Sequence, residues 1–223
     1  MTAILGHRGD MERFSSSTAE SVLSALDRAD GVEIDLNLSS DGLFYFYHEG
    51  DWTSDRLARV YSMKELERQV PKGESLLSFD GFLSLIGDTR GILCIHLEIG
   101  GGGDAWERDF TLRELARLLV ILKNHRDTLQ NRAFFHTIYP WKAKLFADHG
   151  FVVFHRGFIK QQYGMYRFSD FTKLISMIDV SKTMVYVIND PEQWDYVIGQ
   201  GAGYVLTDTL SLLHTGLHAR GYA

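Results

Sequence analysis

Short apolar runs alternate along the chain with stretches whose apolar residues recur at helical spacing. The runs predict strands over 3–6, 32–38, 43–48, 92–99, 133–137, 151–155, 183–188 and 203–207. The helical stretches fall between them, over 18–29, 62–69, 78–86, 112–124, 141–149, 169–177 and 191–200. Ser62-x-x-Glu65 has the spacing of a capping box, and Asp41-Gly42 between two strand runs predicts a hairpin turn. Strands alternating with helices imply an α/β fold with a mostly parallel sheet. An eightfold barrel accounts best for the order, with the hairpin and a short helix inserted after the second strand. At 223 residues it is a short barrel, since about 250 is typical. A sixth barrel strand belongs between 156 and 168, where Tyr163, Tyr166 and Phe168 occur without a clean strand pattern. A doubly wound open sheet is the competing architecture.

Composition narrows the function. Hydrophobic residues make up 45% and charged residues 23%, which excludes a disordered chain. The net charge of −6 weighs against a nucleic-acid partner. No apolar run reaches the roughly 18 residues of a membrane span. The first strand begins almost at Met1, with no basic leader or cleavage site before it, and Cys94 is the single cysteine. These features predict a cytoplasmic protein without disulfides, folded over 1–223 as one catalytic unit. Oligomeric state leaves no sequence signal.

Polar residues gather where strands end. Gly6-His7-Arg8-Gly9 follows the first strand. Within the second, Glu33 and Asp35 share a face because strand side chains alternate. Two carboxylates on one inner face repel each other unless a cation lies between them, so they suit a hard metal. His48-Glu49 ends the hairpin strand, and His96 and Glu98 share a face of the next strand. Cys94 reads as a small buried apolar residue, and the glycine run 100–103 as a flexible turn, because no Gly-Lys-Ser/Thr follows it.

In order, Gly6-His7-Arg8-Gly9, Glu20, Glu33-Ile34-Asp35, Asp41-Gly42 and His48-Glu49 resemble the glycerophosphodiester phosphodiesterase family. Ile95-His96-Leu97-Glu98-Ile99 resembles its Asn-Ile-Glu-Ile-Lys strand. Val185-Tyr186-Val187-Ile188-Asn189 and the closing run from Gly201 to Asp208 resemble its last two strands. The likeness is strong over 4–49 and 183–208 and loose over 104–180. It implies a TIM-type (β/α)8 barrel, one divalent cation (Mg²⁺ or Ca²⁺), and hydrolysis of glycerophosphodiesters to glycerol 3-phosphate and an alcohol. The resemblance carries the metal carboxylates to Glu33, Asp35 and Glu98, the acid–base histidines to His7 and His48, and phosphate binding to Arg8.

The match departs at several positions. The family's Glu-Asn is Glu20-Ser21 here, His-Asp is His48-Glu49, a strand tryptophan is Tyr186, and the lysine two residues after the third glutamate is Gly100. Arg156 and Lys160 are the nearest replacements for that lysine by topology. Aligning Glu98 with the family's glutamate makes it a direct metal ligand and leaves His96 as a hydrogen-bonding support. Two other readings compete. One is a phospholipase-D-like transphosphatidylase forming a cyclic phosphate; the other is a barrel that binds a phosphoryl ligand without turning it over. Trp106, Tyr139, Trp141 and Tyr163 are candidate headgroup-pocket residues, with ordinary core or surface roles as the simpler account.

Overall fold

The computed structural model describes residues 1–48, 50, 52, 59–87, 89–97, 109–129, 132–155 and 163–211. Among them, β1 (Ala3–His7), β2 (Gly31–Leu38), β4 (Ile92–His96), β5 (Ala133–Thr137), β6 (Val152–His155), β7 (Tyr163–Arg167), β8 (Thr183–Tyr186) and β9 (Tyr204–Thr207) run parallel in that order. β1 pairs with both β2 and β9, so the sheet closes on itself as an eight-stranded barrel. The open-sheet alternative is thereby excluded. β3 (Phe44–Phe46) pairs antiparallel with β2, making the expected hairpin outside the barrel.

Helices α1 (Ala19–Arg28), α3 (Phe79–Leu85), α4 (Leu112–Asn124), α6 (Pro140–Asp148), α7 (Phe168–Leu174) and α8 (Pro191–Gly199) alternate with the strands. α4 illustrates why they dock. Its Leu115, Leu118, Leu119 and Leu122 recur at helical spacing and are all buried. Burying each such side chain contributes roughly 1.5–3 kcal/mol. They join the outward-facing strand residues Val32, Ile34, Leu93, Ile95, Phe135 and Val205 in one core. Two shorter helices, α2 (Met63–Leu66) and α5 (Arg126–Leu129), complete the set. The capping box before α2 is present: the Glu65 carboxylate accepts from the Ser62 N–H at 2.8 Å.

A separate cluster fills the barrel itself. Leu5, Cys94, Phe154, Met165, Met184 and Leu206 are buried there, with Phe134, Tyr163 and Tyr204 packed against them. The strand that the sequence leaves indistinct is β7. Gly164 is its second residue, and a Cβ there would meet the Tyr166 ring at 2.4 Å. The tyrosine two residues on folds over the glycine, so the local pattern is a gap rather than an alternation.

Beyond β4, a buried cation joins three elements. Lys142 of α6 donates to the Leu97 carbonyl at 2.6 Å and to Asp109 Oδ1 at 2.7 Å. Its ammonium lies 4.8 Å from the centroid of the Tyr139 ring. Arg59 holds the same corner, donating to the Asp109 carbonyl and, through two nitrogens, to Glu114.

Candidate active site

The strand ends place the expected residues around one mouth of the barrel. β1 ends at His7, and Arg8 follows with a φ of 58°, a region that non-glycine residues seldom enter. The next residue, Gly9, has a φ of 99°, and a Cβ on it would meet Ser21 Oγ at 2.4 Å. The tight turn therefore needs glycine, and it sends the Arg8 side chain back toward β2, where Nε lies 3.6 Å from Asp35 Oδ2. Ser21, which replaces the family's asparagine, instead caps α1, accepting at 3.1 Å from the N–H of Thr18. Glu20 accepts from the Ser75 N–H and hydroxyl, tying α1 to the segment before α3.

His7 lies beside Glu33, with Nε2 3.9 Å from Oε2. Its Nδ1 is 2.7 Å from Asp208 Oδ1. An ionised carboxylate only accepts, so the Nδ1 proton is the one shared and Nε2 presents its lone pair to the mouth. Asp208 is itself fixed. Asn189 donates to its Oδ2 at 2.7 Å, and Asn189 Oδ1 accepts from the Asp208 N–H at 2.9 Å. Burial alone would lower the His7 pKa, but the Asp208 hydrogen bond and the Glu33 charge outweigh it and raise it. Burial alone would raise Asp208, but bonding to His7 and Asn189 lowers it. The sequence assigned no role to Asp208 or Asn189. Their partner is about two hundred residues away along the chain, and no local pattern announces the pair.

Glu33 and Asp35 are both buried, at 3% and 5% exposure. Glu33 pairs in register with Cys94, so its neighbour on β4 is apolar. Burial, reinforced by the Asp35 charge, pushes the Glu33 carboxyl up to about 7. Asp35 behaves oppositely. Burial would raise it, but His96 Nδ1 hydrogen-bonds its Oδ1 at 2.6 Å and, with His48 and Arg8 nearby, holds it below the usual carboxylate range. His96 thus supports Asp35, as its sequence position suggests. Glu33 Oε2 and Asp35 Oδ2 are buried without a hydrogen-bond partner among the described residues. Glu33, Asp35 and His96 each bring one ligand atom within 4.8 Å of the others. Buried acceptors left open and crowded together fit a divalent cation.

The hairpin brings in His48. The Tyr47 N–H donates to the Asp35 carbonyl at 3.0 Å, and Asn37 donates to the Tyr47 carbonyl at 2.8 Å. The residue before His48 is therefore pinned to β2, and the His48 charge is felt by Asp35. Glu98, Glu49 and Gly100 lie outside the described residues, as do Arg156, Lys160 and Trp106. Of the candidate headgroup residues, Trp141 is exposed, Tyr139 lies against Lys142, and Tyr163 packs on Phe134 and Phe154 inside the barrel. The described mouth includes a further residue to which the sequence assigned no role. His136 of β5 stacks on His96 with centroids 4.5 Å apart and planes at 24°.

Comparison with known proteins places this geometry. A family model described as the glycerophosphoryl diester phosphodiesterase family matches residues 7–175. No curated protein matches. The fold is similar to that of a glycerophosphodiester phosphodiesterase from Parabacteroides distasonis, at 20% identity, 98% coverage of each chain and a TM-score of 0.77. One from Thermotoga maritima is also 20% identical, with 96% of this chain and 98% of that chain covered and a TM-score of 0.72. A phosphodiesterase from Oleispira antarctica, solved with the product sn-glycerol-3-phosphate, is 16% identical over 98% of this chain and 97% of that one, with a TM-score of 0.65.

Proposed function

Because the chain belongs to the glycerophosphoryl diester phosphodiesterase family and is thereby a phosphoric diester hydrolase, we propose that it cleaves glycerophosphodiesters to glycerol 3-phosphate and an alcohol, with His7 and His48 as acid–base pair and a divalent cation at Glu33 and Asp35. The observation that carries this reading is the pair of buried carboxylate oxygens that have no hydrogen-bond partner among the described residues, flanked by His7. The product complex of the Oleispira antarctica relative supports the choice of substrate.

Glu33 and Asp35 would hold the cation, with Glu98, two residues past His96 in the sequence, completing an oxygen set suited to Mg²⁺ or Ca²⁺ rather than Zn²⁺. Bound there, the cation neutralises phosphate charge that otherwise repels a nucleophile. The chain's own groups do the rest. Arg8 grips a phosphate oxygen through its guanidinium. His7 Nε2 takes the proton of the attacking hydroxyl, and the resulting imidazolium is stabilised by Asp208 through Nδ1. His48, carried in on the hairpin, gives a proton to the leaving alcohol oxygen; with the neighbouring glycerol hydroxyl as the attacking group this forms a cyclic phosphate, and water then opens it to glycerol 3-phosphate. Asn189 keeps Asp208 from turning away. The whole chain works as one catalytic barrel, and the single buried Cys94 leaves no disulfide that would need an oxidising compartment, in keeping with a cytoplasmic setting. No helix among the described residues is long and apolar enough to cross a membrane.

The test is product analysis on glycerophosphocholine and glycerophosphoinositol. Glycerol 3-phosphate should appear with Mg²⁺ or Ca²⁺ and stop with chelator. Full turnover in chelator would refute the cation, and a lasting cyclic phosphate as sole product would identify the transphosphatidylase instead.

A further inference from the structure

The family resemblance leaves a gap: a lysine expected to face the phosphate is Gly100 here, which carries no side chain. We propose that His136 supplies a phosphate-directed donor in this chain, an inference that rests on the phosphodiesterase reading above. The placement comes from the barrel register. Asp35 of β2 pairs with His96 of β4, and His96 pairs with His136 of β5, so the three lie level at the mouth. Phe134, two residues earlier on β5, packs into the barrel interior, and alternation turns His136 to the same inner face. The stack on His96 confirms that direction.

The stack also fixes the ring. His96 is anchored on Asp35 at 2.6 Å, and His136 lies flat against it, so its orientation is inherited from the carboxylate. An oriented donor is worth more than a flexible one because little freedom is lost when the ligand arrives. His136 is only 6% exposed, and a hydrogen bond to an anion strengthens where water is excluded. Imidazole in either protonation state carries at least one N–H, so the role needs no particular charge. A phosphoryl group drawn to the Glu33–Asp35 cation site from the axis of the barrel has Arg8 on the β1 flank and His136 on the β5 flank.

The experiment measures anion binding and metal binding separately. The full-length protein and its His136→Phe, His136→Gln and His136→Lys variants are titrated calorimetrically with sn-glycerol 3-phosphate and with inorganic phosphate, in saturating Mg²⁺. Phenylalanine keeps a flat ring on His96 but has no nitrogen, glutamine keeps an N–H donor without the ring, and retained Mg²⁺ binding shows that the Phe variant is folded. Loss of one hydrogen bond to a charged oxygen should weaken both anions about tenfold in the Phe variant. Lysine should recover most of that loss, and Mg²⁺ affinity should stay within about twofold of wild type throughout. Unchanged phosphate affinity in the Phe variant overturns the inference. So does a parallel fall in Mg²⁺ affinity, which would make His136 a prop for His96 and Asp35. So does a loss confined to glycerol 3-phosphate, which would point to the glycerol hydroxyls. A wild-type protein that binds neither anion overturns the phosphodiesterase reading as well, whereas an active wild type with an unaffected Phe variant overturns this inference alone.

Discussion

The two halves of the barrel interior are built from the same strands and do opposite things. On β4, Ile92 and Cys94 face the apolar filling, and His96, one pleat higher, bonds to Asp35. On β5 the step is from Phe134 to His136, and on β1 from Leu5 to His7. Two residues along a strand is a rise of roughly 6.6 Å, and over that distance the interior changes from aromatic packing to carboxylates and imidazoles. The lower half keeps the rings of Phe134, Phe154, Tyr163 and Tyr204 in mutual contact. The upper half holds two buried acids against each other. The lower half thus supplies stability, and the upper half draws on it to hold charges that would otherwise separate.

That division can be broken from either side. The largest effect is expected for Asp35→Asn and Glu33→Gln. Each should lose about 10³-fold or more in turnover, the worth of several kcal/mol of charge stabilisation. Glu33→Gln should not lower the melting temperature of the metal-free protein, since it removes an acid whose ionisation burial disfavours, whereas Asp35→Asn should lower it, since it takes the carboxylate away from His96. A Glu33→Gln variant that melts well below wild type would mean that this acid also carries stability. Phe154→Ala should do the reverse, costing about 3–5 kcal/mol in urea unfolding while the folded fraction keeps near-normal turnover. His7→Ala and His48→Ala should each reduce turnover by about 10²-fold or more with unfolding unchanged; a near-wild-type rate in either would remove it from the acid–base pair. The smallest effect is in pH dependence. Glu33 titrates at about 7 and must be ionised to hold a cation. Apparent Mg²⁺ affinity should therefore fall by up to about tenfold per pH unit below 7 and level off above it. Asp35, held ionised by His96, adds no slope there. Calorimetry between pH 5.5 and 8.5 checks the sign, and affinity that stays flat or rises as pH falls would contradict it.

The barrel is legible in the sequence wherever a strand and its following helix each keep their own period. β2 and α4 are of that kind, and so is the shared face of Glu33 and Asp35. β7 is not, because Gly164 yields its place to the Tyr166 ring, and that contact exists only after the strand has formed. The strand expected over 43–48 shortens to Phe44–Phe46, yet His48 still reaches the site because Tyr47 is bonded to β2. Asp208 and Asn189 stand in motifs the sequence did display, but their role depends on the first and last strands meeting, which only closure provides. His136 was within reach: once Cys94 and His96 fix the inner face of β4, register carries that face to Phe134 and His136. Glu98, the expected third carboxylate, stays a sequence inference.

Lys142 has a consequence for how such a chain can change over time. One ammonium grips both the Leu97 carbonyl and the Asp109 carboxylate, so the two ends of the connection from β4 to α4 are fixed to each other through α6. With its ends held, the length between them is nearly decoupled from the barrel, since doubling a loop costs only about 0.6 kcal/mol. Insertions and deletions past Glu98 in that connection can be sampled at little risk to the fold. The buried lysine thus lets the length of this connection drift while Glu33 and Asp35, fixed on β2, keep their places.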